Sequence, residues 1–302
     1  MIDVSSKAKT LRYARAQGKL FVNSKTLKLI KDNKVPKGDV LQVSRAAGIM
    51  AAKKTPEWIV FCHSIPIDWV EIRHEFEDDG LLIKCEVRSV WRTGVEMEAM
   101  AGVMSSLLNA YDMLKPIDKE MSIGEISVVE KKGGKNAFLD KFDTPLKAAV
   151  IVLSDSTYEG TRKDKSGKLI VDYLSNLPVD VKFYEILPDK PEMITARLIE
   201  LADNEKLDLV ITTGGTGLGP KDFTPEATAK VIEKEATGIA EAIRKHGLER
   251  TPRAMLSREL VGTRGNTLII NMPGSSNGAR ESMDAIMPGV LHAFSMIWGG
   301  GH

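Results

Sequence analysis

Cysteine is nearly absent: Cys62 and Cys85 are the only two in 302 residues. They offer neither a disulfide framework nor a C-x-x-C metal pattern, which is the usage expected in a reducing compartment. Aromatic residues make up only 6% of the chain. No apolar run approaches the roughly 18 residues needed to span a bilayer, and no charged-then-apolar leader opens the sequence, so a cytoplasmic, non-membrane protein is expected. Neither sign of charge dominates, with 42 basic against 41 acidic residues. That balance argues against a bulk electrostatic surface for nucleic acid or anionic lipid, and any anion site must be local. Internal repeats, low-complexity stretches and sustained heptads are also missing.

What is present, at 210–225, is Val-Ile-Thr-Thr-Gly-Gly-Thr-Gly-Leu-Gly-Pro-Lys-Asp-Phe-Thr-Pro. An apolar strand at 207–212 runs into a glycine-rich turn and then into a helix start, the order of a phosphate cradle. Gly214, Gly215, Gly217 and Gly219 let the backbone turn and approach a ligand closely. Thr224 is placed to cap a helix beginning at Pro225, whose free N–H groups favour an anion, and Asp222 stands just ahead of that cap. The loop has neither the Gly-Lys-Ser/Thr ending of a P-loop nor the G-x-G-x-x-G order of a dinucleotide fold.

Length and 43% hydrophobic content allow two ordinary domains. The periodic pattern breaks between Gly133 and Pro145, so the expected domains are 1–142 and 143–302. In the second, strands at 148–153, 182–187, 207–212 and 267–271 alternate with helices near 166–177, 191–205 and 225–246. Such alternation predicts an α/β fold with a mostly parallel sheet. Ligands bind beyond the carboxyl ends of such strands, where Asp155, Asp189, the glycine loop and Pro273-Gly274-Ser275 all fall. In the first, strands at 70–76 and 81–91 flank the turn Asp78-Asp79-Gly80, with helices at 39–53 and 94–114 and a further strand at 123–129. This predicts an antiparallel α+β domain.

Lys37, Lys53, Lys115, Lys131 and Lys135 all stand near element ends in that first domain. Each alone reads as a solvated surface lysine; gathered, they suit a polyphosphate, and lysine near other cations can drop in pKa enough for acid–base work. His63 is either a proton carrier or a simple hydrogen-bonded residue. Glu96 and Glu98, two apart, cannot share one helix face, whereas Asp112 and Lys115, three apart, do. The latter pair is a surface ion pair or an acid–base couple.

Lys-Gly-Asp-Val at 37–40, Ala-Gly-Ile-Met-Ala-Ala-Lys-Lys-Thr at 47–55, Cys-His at 62–63, Thr-Gly-Val-Glu-Met-Glu-Ala at 93–99, Tyr-Asp-Met at 111–113 and Lys-Lys-Gly-Gly-Lys at 131–135 together resemble the MoaC family of cyclic pyranopterin monophosphate synthases. The resemblance covers residues 1–136. It implies a ferredoxin-like fold, a hexamer and a site across a dimer interface. It also implies conversion of cyclised dihydroguanosine triphosphate into cyclic pyranopterin monophosphate and pyrophosphate. Carried onto this chain, Lys37, Asp112 and Lys115 are the implied catalytic core. Arg12, Lys53, His63, Lys131 and Lys135 hold triphosphate and pterin, and Glu96 and Glu98 complete the pocket. One departure is local: the family usually reads Cys-His-Pro, whereas Ser64 follows His63 here.

In the second domain, Asp189 and Asp222 are candidate ligands for an Mg²⁺ ion shared with nucleotide phosphates, or simple turn and cap residues. Ser275 and Ser276 supply a second cluster of N–H and hydroxyl groups. Leu-Ser-Asp at 153–155, Leu-Pro-Asp at 187–189, Thr-Thr-Gly-Gly-Thr-Gly at 212–217, Lys-Asp-Phe-Thr-Pro-Glu-Ala at 221–227, Met-Leu-Ser-Arg at 255–258 and Asn-Met-Pro-Gly-Ser at 271–275 resemble the MogA/MoaB family of molybdopterin adenylyltransferases. The resemblance implies adenylylation of molybdopterin by ATP with Mg²⁺ and no tightly bound cofactor. Asp189 and Asp222 are its catalytic acids; Ser154, Asp155, Thr213, Gly214, Gly215, Thr216, Gly217, Pro273, Gly274, Ser275 and Ser276 line the ligands. Lys190 stands where the family usually has glutamate. A bifunctional enzyme of molybdenum-cofactor biosynthesis is thus expected, as a trimer or hexamer, with other enzymes of that pathway as partners. Two further readings make the second domain a pterin-binding scaffold, or both domains general nucleotide phosphohydrolases.

Overall fold

The computed structural model describes residues 1–300 and divides the chain into two compact units, Met1–Ala137 and Phe138–His302. In the first unit the strands β1 (Thr10–Phe21), β2 (Trp69–Glu77), β3 (Gly80–Trp91) and β4 (Ser122–Lys132) form one sheet in the order β2-β3-β1-β4. All three pairings are antiparallel. Helices α1 (Ser24–Lys31) and α2 (Val40–Lys53) lie between β1 and β2 in the chain, and α3 (Glu96–Leu114) between β3 and β4. This order and pairing is the ferredoxin-like arrangement.

The central strand β1 escaped the sequence reading because its inward residues Ala14, Ala16 and Gly18 are small and alternate with Tyr13, Arg15 and Gln17. Its hydrophobic signal is weak until Leu20, although it pairs on both edges. Asn23 caps α1 and Asp39 caps α2, each side chain accepting the N–H three residues on. Helices α2 and α3 run antiparallel, since Ser106 Oγ donates to Ser44 O (2.9 Å) while Ser105 Oγ donates to Ala47 O (3.2 Å). Against the sheet they bury Val103, Leu107 and Leu114 with Leu81, Ile83 and Ile72.

The second unit is a six-stranded sheet of β5 (Leu146–Leu153), β6 (Val179–Leu187), β7 (Leu209–Thr213), β8 (Lys234–Glu235), β9 (Val261–Arg264) and β10 (Thr267–Met272), ordered β6-β5-β7-β10-β9-β8. The first four are parallel, and β9 and β8 extend the sheet antiparallel. All but one residue of β5 is buried, as expected of a central parallel strand covered on both faces. Helices α4 (Asp155–Tyr158), α5 (Ser166–Leu174), α6 (Pro191–Ile199), α7 (Thr224–Ala229), α8 (Thr237–Leu248), α9 (Ser276–Ile286) and α10 (Ala293–Ile297) complete it. One core layer packs α5, α8, α9 and α10 on the sheet, and the other packs α6 and α7.

Two expectations fail here. The helix expected at 225–246 is two helices, α7 and α8, separated by β8. Lys234-Glu235 favours helix by composition, but the open edge of β9 recruits it as a strand. Thr224 is not the cap of α7 but its first residue. Its hydroxyl instead donates to Gly214 O (2.8 Å) and its N–H to Gly215 O (3.1 Å), so it ties the helix to the glycine loop.

Candidate active sites

In the first unit the expected site residues collect at the two ends of α3. At its C-terminal end, Asp112 is held between Lys37 (Nζ to Oδ2, 2.8 Å) and Lys115 (Nζ to Oδ1, 2.6 Å), and Lys37 also donates to the Asp112 carbonyl (2.9 Å). The two ammonium groups, Lys115 first, hold the Asp112 carboxyl at about 2. Lys115 in turn is raised by Asp112, the opposite of the lowering expected from a cluster of cations, because its nearest charge is a carboxylate.

At the N-terminal end, a cavity of ≈ 640 Å³ is lined by Lys7, Arg12, Tyr13, Glu96, Lys131 and Lys135, among others. Arg12 is fixed by two carbonyls at the end of β3, Trp91 O (3.2 Å) and Arg92 O (3.1 Å). Lys131 Nζ approaches Glu96 at 3.8 Å. Glu98, 1% exposed, points inward from the next turn face, where Cys62 Sγ donates to its Oε1 (3.4 Å) while Oε2 has no partner. Burial raises the Glu98 carboxyl, and burial together with Glu98 pushes the Cys62 thiol up to about 11. His63 Nε2 donates to Ile2 O (2.9 Å), which holds the N-terminal segment that carries Lys7. Lys53 ends α2, and the antiparallel packing of α2 on α3 places it toward this same end. Sixteen residues separate Glu96 from Asp112, about 24 Å along a helix. One copy therefore does not bring the two clusters onto one small nucleotide. Lys7 was missed because it lies in a polar segment before the first recognised element.

In the second unit four strand ends meet, as expected for a parallel sheet. A cavity of ≈ 340 Å³ is lined by Ser154, Asp189, Thr213, Gly214, Gly215, Asp222, Gly274, Ser275 and Ser276, of those anticipated. Asp155 and Asp189 are crossed: Asp155 N–H donates to Asp189 Oδ2 and Asp189 N–H to Asp155 Oδ1, both at 3.0 Å. Lys221 Nζ donates to Asp155 Oδ2 (2.6 Å). Burial first, then the Asp155 and Asp222 carboxylates, raise Asp189. Gly214 has φ +111°, and a Cβ there would stand 2.2 Å from Leu153 O, so the loop crosses β5 only with glycine.

Some anticipated residues serve the scaffold. Thr213 Oγ1 donates to Pro273 O (2.8 Å), joining the two ligand loops, and Thr216 Oγ1 meets Ser257 Oγ (3.3 Å). Ser154 caps α4 and Ser275 caps α9, the latter accepting from Gly278 N–H (3.1 Å). Sequence reading missed Arg162, Lys163 and Lys165, which bring three cations to the cavity from the loop before α5. A run of basic residues between two glycines was the available signal.

Two folds in one chain, each with a polar cavity at its strand ends, define a two-domain protein with two candidate sites. Residues 1–134 match the MoaC family, and residues 149–293 match a probable molybdopterin binding domain. A molybdenum cofactor biosynthesis bifunctional protein of Chlorobaculum tepidum is 37% identical over all of this chain and 96% of its own. A cyclic pyranopterin monophosphate synthase of Aquifex aeolicus is 33% identical over 92% of each. A solved structure of the molybdopterin biosynthesis enzyme MoaB from Thermus thermophilus is 45% identical, covering 51% of this chain and 97% of its own, with a TM-score of 0.49. The chain belongs to the family of molybdenum cofactor biosynthesis bifunctional proteins.

Proposed function

We propose that the chain performs two reactions of that pathway. The first unit converts cyclised dihydroguanosine triphosphate into cyclic pyranopterin monophosphate, releasing pyrophosphate. The observation that carries this reading is the pair of complementary clusters at opposite ends of α3. In a dimer, the Lys37–Asp112–Lys115 group of one copy would face the cationic cavity of the other, and one site would then use both. Arg12, Lys131, Lys135 and Lys7 neutralise the triphosphate as a ribose hydroxyl attacks the α-phosphorus and pyrophosphate leaves. Asp112, ionised and bridged by two lysines, relays protons between them during rearrangement of the pterin.

The second unit transfers an adenylyl group from ATP to molybdopterin. A phosphate oxygen of molybdopterin attacks the α-phosphorus and the bond to pyrophosphate breaks. Arg162, Lys163 and Lys165 balance the leaving charge, while Ser275 and Ser276, opening the 11-residue helix α9, present N–H groups to phosphate. The donor set suits magnesium, which takes one or two carboxylates and completes its shell with phosphate and water. Asp189 and Asp222 would hold it, and a divalent cation would offset what raises Asp189, burial first and then the neighbouring Asp155 and Asp222 carboxylates. When bound, the ion polarises the phosphate oxygens of the nucleotide.

The test is pyrophosphate release from molybdopterin, ATP and Mg²⁺. Adenylyl transfer requires turnover that disappears in Asp222→Ala with molybdopterin binding retained. A second reading, a pterin-binding scaffold, is favoured by Lys221 paired to Asp155 and by Lys190 beside Asp189, two cations close to where a metal would sit. It predicts binding without turnover in the unaltered protein.

A further inference from the structure

We propose that Arg258 is the positioning residue of the nucleotide site: it fixes the glycine loop so that the Asp222 carboxylate is held where Mg²⁺ would bind. This rests on the adenylyltransferase reading above. Arg258 lies 36 residues from Asp222 in sequence and lines none of the cavities described so far, yet it holds the loop at three points and the helix after it at a fourth. Its backbone N–H donates to Thr216 O (2.9 Å), its Nε to Gly217 O (2.8 Å) and its Nη2 to Asp222 O (2.8 Å). Its Nη1 pairs with Glu226 in the first turn of α7, which lowers the Glu226 carboxyl.

Geometry explains why an arginine is needed. The guanidinium is a rigid planar fork, so one side chain reaches the entry of the loop at Gly217, its exit at Asp222 and the helix that follows. Between those anchors the turn is closed from within by Gly219 N–H donating to Asp222 Oδ2 (2.7 Å) and Asp222 N–H donating to Gly219 O (3.1 Å). The loop is otherwise glycine-rich at Gly217 and Gly219, and glycine gives backbone no stiffness of its own. Without Arg258, the carbonyls of Gly217 and Asp222 lose their donors and the Asp222 side chain loses its fixed direction. Ser257 and Glu259, on either side of Arg258, line a neighbouring cavity of ≈ 620 Å³. Arg244 of α8 donates from Nη1 to Glu259 O (3.1 Å), which anchors the segment outside the loop it holds.

The experiment compares equilibrium binding of ATP, measured calorimetrically with Mg²⁺ and again with EDTA, for the full chain and for Arg258→Ala, Arg258→Lys and Glu226→Gln. Residues that support metal ligands typically change metal affinity 10- to 100-fold on removal. Arg258→Ala should therefore weaken Mg-ATP binding by about 10- to 100-fold while leaving metal-free ATP unchanged. Lysine, which carries one point charge and no fork, should not restore it, and Glu226→Gln, which keeps both carbonyl bonds, should stay near the unaltered protein. Mg-ATP binding that survives in Arg258→Ala, or an equal loss with and without Mg²⁺, would overturn the proposal. Absence of Mg-ATP binding in the unaltered protein would instead sink the adenylyltransferase reading itself.

Discussion

If each synthase site combines the Lys37–Asp112–Lys115 cluster of one copy with the cationic cavity of another, two dead variants can rescue each other. Lys37→Ala spoils the cluster at the C-terminal end of α3, and Lys131→Ala spoils the cavity at its N-terminal end, about 24 Å away. Each alone loses preorganised positive charge, a loss on the order of 100-fold in turnover. Now let the two variants be mixed one to one under conditions that exchange subunits. Random pairing makes half of the dimers mixed. In a mixed dimer one site collects both lesions and the other collects neither, so about a quarter of the unaltered activity returns. The assay is pyrophosphate release from cyclised dihydroguanosine triphosphate, with subunit exchange verified by differently tagged chains. Activity that stays at the level of either variant, despite proven exchange, would refute a shared site.

Three further outcomes follow from local chemistry. His74 Nε2 lies 2.7 Å from Ser44 Oγ, and burial first, then Arg45, push its pKa down to about 4, with Asp39 opposing. The unfolded chain takes up that proton near 6.5 and the folded chain only near 4. As pH falls from about 6.5 to about 4, the first unit should therefore lose up to about 1.4 kcal/mol per pH unit, and His74→Gln should flatten the dependence in urea unfolding. Asp189 is raised by burial, so the stability it lends is present in acid and lost as pH rises through its folded value. Asp189→Asn should raise the melting temperature of the ligand-free protein at neutral pH and leave it unaltered in acid, while abolishing Mg²⁺-dependent nucleotide binding. Asn271 Nδ2 bridges the buried hydroxyls of Thr212 (2.9 Å) and Thr228 (3.0 Å) beneath the glycine loop. Asn271→Ala should cost about 1–3 kcal/mol in chemical denaturation of the second unit.

The parts of the fold legible in the sequence were those whose burial is uniform or whose turns are unambiguous. Residues 148–153, within β5, read as a strand because every side chain is apolar, and Asp78-Asp79-Gly80 reads as a hairpin turn. Strand β1 hid because small inward residues carry little hydrophobic signal, and β8 because two helix-favouring residues were claimed by a neighbouring edge. The sites divide in the same way. Asp189, the glycine loop and Pro273-Gly274-Ser275 were visible because strand-end position and turn chemistry are local properties. Arg258 stood out only as the last residue of Met-Leu-Ser-Arg at 255–258, without a role, since its partners Gly217 and Asp222 are brought to it only by the tertiary fold. Nor could sequence show that Lys37 and Lys131 belong to separate clusters, because that depends on the length and packing of α3.

The central claim is that one chain carries two independent catalytic sites. It is tested most directly by measuring pyrophosphate release in two parallel assays, one with cyclised dihydroguanosine triphosphate and one with molybdopterin, ATP and Mg²⁺, for full-length Asp112→Ala and Asp222→Ala. The account predicts that Asp112→Ala abolishes only the first reaction and Asp222→Ala only the second. Loss of both reactions in either variant, or a second reaction absent from the unaltered protein, would contradict it.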